Sequence, residues 1–270
     1  MILTEKETQH FKTPIAVPGF GLSMQEKLKM SRVLVIGAGG LGSPIIQYLG
    51  ASGVGIIGIA DYGTINTEDM HRQPIYHMQD VKKHKAKMAA SRMYGFNPYA
   101  RPFPLLMQAK PEAMGFLLDG FDLIVDCTQH LPSHLLINDA CIAFNKPFVV
   151  GEVHNWLAWY GGFNMPMLDG SVSASFRCAM DITDDYRNYD AGALGVTHGT
   201  TGMHMVTDII KYLIEVPMGL TNKIYGMDYL HNTTKVHELT ANRELIETVR
   251  TNGILSADDY GLEIQPDVED

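Results

Sequence analysis

The chain has 270 residues, 46% of them apolar and 19% charged, with a formal net charge of -9. That length allows a sizeable core, no apolar run reaches the about 18 residues needed to cross a bilayer, and the charge argues against general nucleic-acid binding, which rests on Lys and Arg neutralising phosphates. The polar N-terminus MILTEKETQHFK lacks the apolar core of a secretory signal, and Cys127, Cys141 and Cys178 are too few and too dispersed for a disulfide framework, so the expected location is cytoplasmic.

In chain order, SMQEKLKM at 23–30 predicts an amphipathic helix leading into a buried strand, RVLVIG, at 32–37. The strand breaks into glycines, where Gly37, Gly39 and Gly42, with Gly40 between, keep the G-x-G-x-x-G spacing that serves nicotinamide dinucleotides and some ATP-using enzymes alike. Residues 41–51 predict a helix that starts against this loop and points its N–H groups and positive dipole end at whatever the loop holds. GVGIIGIAD predicts a second strand ending at Asp61, 19 residues beyond Gly42, where an acid would grip a ribose hydroxyl. Strand, loop, helix and acid in this order make a nucleotide site, with the kind of nucleotide left open by these residues alone.

Residues 80–98 read as a helix ending near Gly95 and carrying the basic cluster Lys82, Lys83, Lys85 and Lys87. Strands follow at 100–107 and 121–128, then a helix over 131–145 and a strand over 147–153. The alternation predicts an α/β fold, a Rossmann-like doubly wound and mostly parallel sheet, with an antiparallel C-terminal extension. In that extension WLAWYGGFNMP and SVSASFRCAM are expected as strands, with Trp156, Trp159, Tyr160 and Phe163 in the core. The polar, glycine-rich stretch 180–202 is expected to cover the pocket, a helix is expected over 203–213, and no element is assigned from Asn222 onward. The expected organisation is a single domain with a nucleotide-binding half over residues 10–155, a substrate-side half over 156–230 and a tail over 231–270.

Three stretches in fixed order, GFGLSMQEKLKMSRVLVIGAGGLGSPIIQYLGASGVGIIGIAD, HRQPIYHMQDVKKHKAK and DLIVDCTQH, resemble the ThiF/MoeB/HesA family of ubiquitin-activating-enzyme-like adenylyltransferases. The RQ pair eleven residues after Asp61 is foreign to dinucleotide dehydrogenases. The resemblance implies ATP and Mg as cofactors, transfer of AMP to a carboxylate, and a homodimer. It implies that Gly37, Gly39, Gly40 and Gly42 hold the phosphates, that Asp61 binds the ribose, that Arg72 and Lys85 clamp the phosphates, and that Gln73 lines the site. Asp126 joins Arg72 and Lys85 in the expected catalytic set, with a structural role also open.

Against the family pattern the chain departs in several places. DCTQH replaces DCTDN, so Gln129 stands in place of the magnesium-binding aspartate and offers only a neutral carbonyl oxygen. Asp69 stands where asparagine is common and is expected to restore that charge. Thr13 replaces the arginine that a dimer partner lends, with Lys12 beside it. Ser175 and Cys178 occupy one of the two C-x-x-C positions and the other pair is missing, so no zinc is expected and no side chain is assigned as a metal ligand. Asn188 replaces the crossover-loop cysteine, which removes support for an enzyme thioester. His71, His130, His154 and His198 fall near the presumed pocket, His130 being the best candidate for a substrate or proton contact. The expected function is an ATP-dependent adenylyltransferase that makes an acyl-adenylate on a small molecule, a peptide or a ubiquitin-fold sulfur carrier. The alternative is a catalytically degenerate nucleotide-binding module of the same family.

Overall fold

The structure, a computed structural model, describes residues 2–187, 192–216 and 219–265. Strands β1 (Arg32–Ile36), β2 (Ile56–Ala60), β3 (Arg101–Leu105), β4 (Leu123–Asp126), β5 (Phe148–His154), β6 (Leu157–Phe163), β7 (Lys223–Asp228) and β8 (Thr233–Glu238) form one sheet in the order β3-β2-β1-β4-β5-β6-β7-β8. Pairing is parallel from β3 through β5 and antiparallel from β5 to β8. RVLVI and LIVD are near-continuous apolar runs because helices cover these strands on both faces.

The helices are α1 (Glu5–His10), α2 (Lys12–Ile15), α3 (Gly21–Met30), α4 (Gly42–Ser52), α5 (Lys85–Phe96), α6 (Met114–Leu118), α7 (Leu131–Ala143), α8 (Met180–Asp184), α9 (Gly195–Leu213), α10 (Arg243–Asn252) and α11 (Ala257–Tyr260). One core packs Ile45, Ile46 and Leu49 of α4 and Met205 and Ile209 of α9 against Val33 and Val35. The other packs Leu136, Ile137 and Ala140 of α7 against Leu34 and Ile36, with Trp159, Phe163 and Phe176. None of the helices among the described residues is long and apolar enough to cross a membrane.

Several sequence expectations are corrected. The helix expected from residue 80 starts at Lys85, because residues 78–80 form a 3-10 turn and Lys82 takes a left-handed conformation with φ 72°. SVSASFRCAM is not a strand: Val172 makes one isolated bridge to Pro166, and Phe176–Ala179 form a 3-10 turn that Ser175 caps by accepting the Arg177 N–H. The helix expected from 203 begins eight residues earlier, at Gly195, where Thr197 and Thr201 hydroxyls bond back to Leu194 and Thr197 carbonyls. The unassigned C-terminal region holds β7, β8, α10 and α11. Trp156 is 39% exposed, whereas Trp159 and Phe163 are buried as expected.

Candidate functional site

β1 and β4 lie side by side, yet β1 feeds α4 on one face of the sheet and β4 feeds α7 on the other. The chains diverge at their carboxyl ends and leave a crevice, the general ligand position in doubly wound sheets. A cleft of about 670 Å³ opens there. It brings together Gly37, Gly39, Gly40, Asp61, Arg72, Gln73, Lys85, Gln129 and His130 from five separate stretches of chain.

The glycine loop is shaped by close approach. Gly37 has φ 96°, and a Cβ there would lie 2.8 Å from the Cys127 carbonyl oxygen. Gly42 does not line the cleft: a Cβ on it would meet the Gly37 carbonyl oxygen at 1.9 Å, so its role is to let α4 start directly against the strand exit. The Tyr76 hydroxyl donates to the Ala38 carbonyl (2.8 Å), and the Ile75 N–H donates to Ser43 Oγ (3.1 Å), bracing the loop from outside. Asp61 accepts the Ala38 N–H (2.7 Å) and the Gly63 N–H (2.7 Å), which fixes its carboxylate at the end of β2. Burial pushes that carboxyl above its ordinary 3.8, against the pull of the two N–H groups.

Arg72, Gln73 and Lys85 converge on one acid. Asp69 Oδ1 accepts from Arg72 Nη2 (3.0 Å) and Gln73 Nε2 (2.8 Å), and Oδ2 pairs with Lys85 Nζ (3.2 Å) and accepts the Asn66 N–H (3.0 Å). Asp69 is therefore the counter-ion of the two cations. The charge expected to make up for Gln129 is thus spent on these two cations and the neighbouring donors. Gln73 Oε1 is buried with no hydrogen-bond partner among the described residues. Gln73 as a residue lines the cleft, so this unpaired acceptor lies beside it rather than open to it. Gln129 sits at φ 53° and its Oε1 accepts the Val153 N–H (3.2 Å), so the oxygen expected to face a metal is held by backbone.

Asp126 is fully buried and is not part of the cleft wall. It accepts from the Thr128 N–H and hydroxyl (3.0 and 2.8 Å) and from His134 Nδ1 (2.6 Å). His134 Nε2 donates to Glu152 Oε1 (3.0 Å), and Glu152 Oε2 accepts from Trp159 Nε1 (3.0 Å) and Arg187 Nε (2.8 Å). Burial acts to lower the His134 pKa, but the Asp126 and Glu152 carboxylates outweigh it and hold the imidazole at about 9. Burial acts to raise Glu152, yet the hydrogen bonds from His134 and His154 and the charges of His134 and Arg187 hold it well below the usual carboxylate range. Sequence reasoning missed this chain of charges. Its one signal was a histidine inside the apolar run LPSHLLI.

The histidines separate. His130 lines the cleft and contacts Ser133 Oγ (3.0 Å), while the ring of His198 lies against Gly40 with Nδ1 on the Leu194 carbonyl (2.8 Å). His71 contacts the Ala193 carbonyl (3.1 Å), and His154 stands beside Glu152 at 3.7 Å. Burial pushes the Cys127 and Cys141 thiols well up, which leaves both as poor nucleophiles. Asn188 lies outside the described residues. Lys12 and Thr13 are exposed on α2 and do not line the cleft of their own chain. At the position of the first C-x-x-C pair, Ser175 Oγ donates to Asn138 Oδ1 (3.0 Å), and Arg177 forms a two-pronged pair with Asp139 (2.8 and 2.7 Å). Among the described residues no group of three or more His, Cys, Asp or Glu side chains is arranged to hold a metal ion.

Sequence reasoning also missed the far C-terminal segment. Gly261, Glu263 and Gln265 line the cleft. The capping box of Ser256 and Asp259 followed by Gly261 in the left-handed region was the available signal for α11.

The sequence profile of the ThiF family matches residues 11–247. A sulfur carrier protein adenylyltransferase of Thermus thermophilus is 30% identical over 244 residues, covering 89% of this chain and 89% of its own length. The adenylyltransferase and sulfurtransferase UBA4 of Lodderomyces elongisporus is 34% identical over 221 residues, covering 78% of this chain; the chain spans 47% of that relative. Among solved structures, PaaA superposes with a TM-score of 0.75 at 18% identity over 89% of this chain and 76% of its own. E. coli MccB with ATP superposes with a TM-score of 0.72 at 19% identity over 89% and 80%. These two likenesses establish the fold.

Proposed function

The chain belongs to the ThiF family, and on that premise we propose that it is an ATP-dependent adenylyltransferase that activates a carboxylate as an acyl-adenylate and releases pyrophosphate, without an enzyme thioester. The observation that carries this reading is the meeting of Arg72, Lys85, Gln73 and Asp61 with the glycine loop in one cleft at the divergence of β1 and β4.

On this reading the triphosphate lies over the glycine loop at Gly39 and Gly40, against the positive end of α4; within the first turn the Ser43 and Ile45 N–H groups are already bonded to the Gly39 and Leu41 carbonyls and Pro44 has none. Asp61, held by two backbone N–H groups, keeps lone pairs for the ribose hydroxyls. An oxygen of the acceptor carboxylate attacks the α-phosphorus and the bond to the pyrophosphate oxygen breaks. Negative charge grows on the α-phosphoryl oxygens and the leaving pyrophosphate, where Arg72 and Lys85 supply fixed positive charge. Asp126 acts as a positioning residue, fixing Thr128 and His134 beneath the cleft.

Magnesium, when bound with the nucleotide, would neutralise phosphate charge. Gln129 and Asp69 do not fit a protein-held site for it, because their oxygens are engaged elsewhere. The acceptor is a carboxylate of a peptide, a small molecule or a ubiquitin-fold carrier, in line with the Thermus relative named for a sulfur carrier and with an MccB structure that contains MccA. We read the chain as one catalytic domain that works in the cytoplasm as a homodimer, with the exposed Lys12 as the cation offered to a partner's cleft.

The test is thermal unfolding with ATP, AMP and NAD, each with and without magnesium, on the wild type and Arg72→Ala, followed by pyrophosphate exchange with candidate carboxylates. ATP is expected to raise the midpoint, by an amount equivalent to about 2.7 kcal/mol at a hundredfold excess over Kd. The loss of a charged hydrogen bond in Arg72→Ala is expected to weaken ATP about tenfold or more. Stabilisation by NAD in place of ATP overturns the reading. Stabilisation by ATP with no exchange for any carboxylate favours a degenerate binding module.

A further inference from the structure

The C-terminal segment crosses the mouth of the cleft. It leaves α11, whose Tyr260 hydroxyl donates to Asp139 Oδ2 on α7 (3.0 Å), and Leu262 is buried against the α7 side of the core. Up to Gln265 it lies along the loop after β3, where the Gln108 amide holds it with both ends: Gln108 Nε2 donates to the Glu263 carbonyl (2.9 Å) and Oε1 accepts the Gln265 N–H (2.8 Å). The strap thus runs from the β4 side of the sheet to the β3 edge, and Gly261, Glu263 and Gln265 form a wall of the cleft. The loop after β3 begins beside Asp61, the ribose acid on the nucleotide reading, where the Leu105 carbonyl accepts the Asp61 N–H (3.1 Å), so the strap meets the cleft on its nucleoside side.

We propose that this strap is the base-side wall of the nucleotide site and that Glu263 selects a nucleobase carrying an exocyclic amino group. The proposal rests on the nucleotide reading of the cleft. A carboxylate facing a polyanion would oppose its binding, so an acid on the wall belongs at the end away from the phosphates. There its two oxygens are acceptors only and match an amino donor, while a base with a carbonyl at that position would meet them lone pair to lone pair. The Glu263 charge acts across the mouth on His130, whose imidazole burial lowers and whose neighbouring carboxylates, Glu263 among them, raise. Both functional ends of the Gln108 amide are spent on the strap, which makes it a positioning residue rather than a contact to the base.

The experiment is calorimetric binding of ATP, ITP and tripolyphosphate to the full chain, to Glu263→Gln, to Gln108→Ala and to a chain ending at Leu262. ITP carries a carbonyl where ATP carries the amino group. Wild type is expected to prefer ATP over ITP by about tenfold or more, the value of one hydrogen bond to a charged group. Glu263→Gln, whose amide offers a donor as well as an acceptor, is expected to narrow that ratio. Gln108→Ala and the shortened chain are expected to lose ATP affinity about tenfold and to leave tripolyphosphate unchanged. Unaltered unfolding midpoints without ligand establish that the variants are folded. An unchanged ATP:ITP ratio in Glu263→Gln overturns the proposal, as does tighter ATP binding by the shortened chain, the mark of a cover rather than a wall. If the full chain binds neither ATP nor tripolyphosphate, the nucleotide reading itself fails and this proposal falls with it.

Discussion

Asp69 holds Arg72 and Lys85 on its two carboxylate oxygens, one cation on each. Holding two cations on one buried carboxylate spares their mutual repulsion but also cancels one unit of charge next to where a polyanion would bind. Asp69→Asn removes that charge and keeps one oxygen, for either the Gln73 amide or the Asn66 N–H but not both. ATP is expected to bind a few-fold more tightly in this variant, with a steeper dependence on salt, while the response to magnesium stays as in wild type; titrations at two ionic strengths with and without magnesium check this. At this scale the sequence made the glycines, Asp61 and the RQ pair legible, because their spacing from strand ends is short-range. The partners of Asp69 were not legible, since Lys85 reaches it only through the turn at 78–84. The same holds for Gln129, whose oxygen is held by a strand 24 residues further on.

Among the elements, the strand-to-helix passage from β1 to α4 is the least forgiving. A Cβ at Gly42 would lie 1.9 Å from one carbonyl oxygen of the backbone, and no rotamer moves a Cβ. Gly42→Ala is expected to cost about 1–3 kcal/mol as an overpacking change and to abolish ATP-induced stabilisation, measurable by urea unfolding with and without ATP. The βαβ half was readable because each apolar run is long and bounded by glycine or proline. The second half was not. Residues 180–202 look polar and glycine-rich as a string, yet from Gly195 they form a helix because that face meets α4 across the core. Residues 171–180 alternate like a strand but turn at Ser175, whose hydroxyl competes for backbone N–H. The strap remained hidden because its clamp, Gln108, lies 155 residues before Glu263.

For the molecule as a whole, the buried line Asp126, His134, Glu152 and Arg187 ties β4, α7 and β5 to the segment after α8 and makes stability depend on pH. The folded His134 pKa of about 9 lies above its ordinary 6.5, so its contribution is complete below 6.5 and is lost as pH rises through about 9. Glu152 is depressed, so its contribution is complete above 4.5 and is lost as pH falls. Unfolding midpoints are expected to be highest near pH 5–6 and to fall towards pH 9.5, the alkaline fall being shallower in His134→Gln; calorimetric scans across that range check both arms.

The two margins of the sheet carry a consequence of their own. On β3, Arg101 donates inward to the Gly55 carbonyl, so the alternate positions Pro102 and Pro104 turn ring carbons outward where N–H groups would otherwise invite another strand. On β8, exposed along most of its length, Lys235 stands near the middle and Glu238 at the end. The β3 border is thus closed to strand addition by its prolines, while the β8 border stays an open, charged edge.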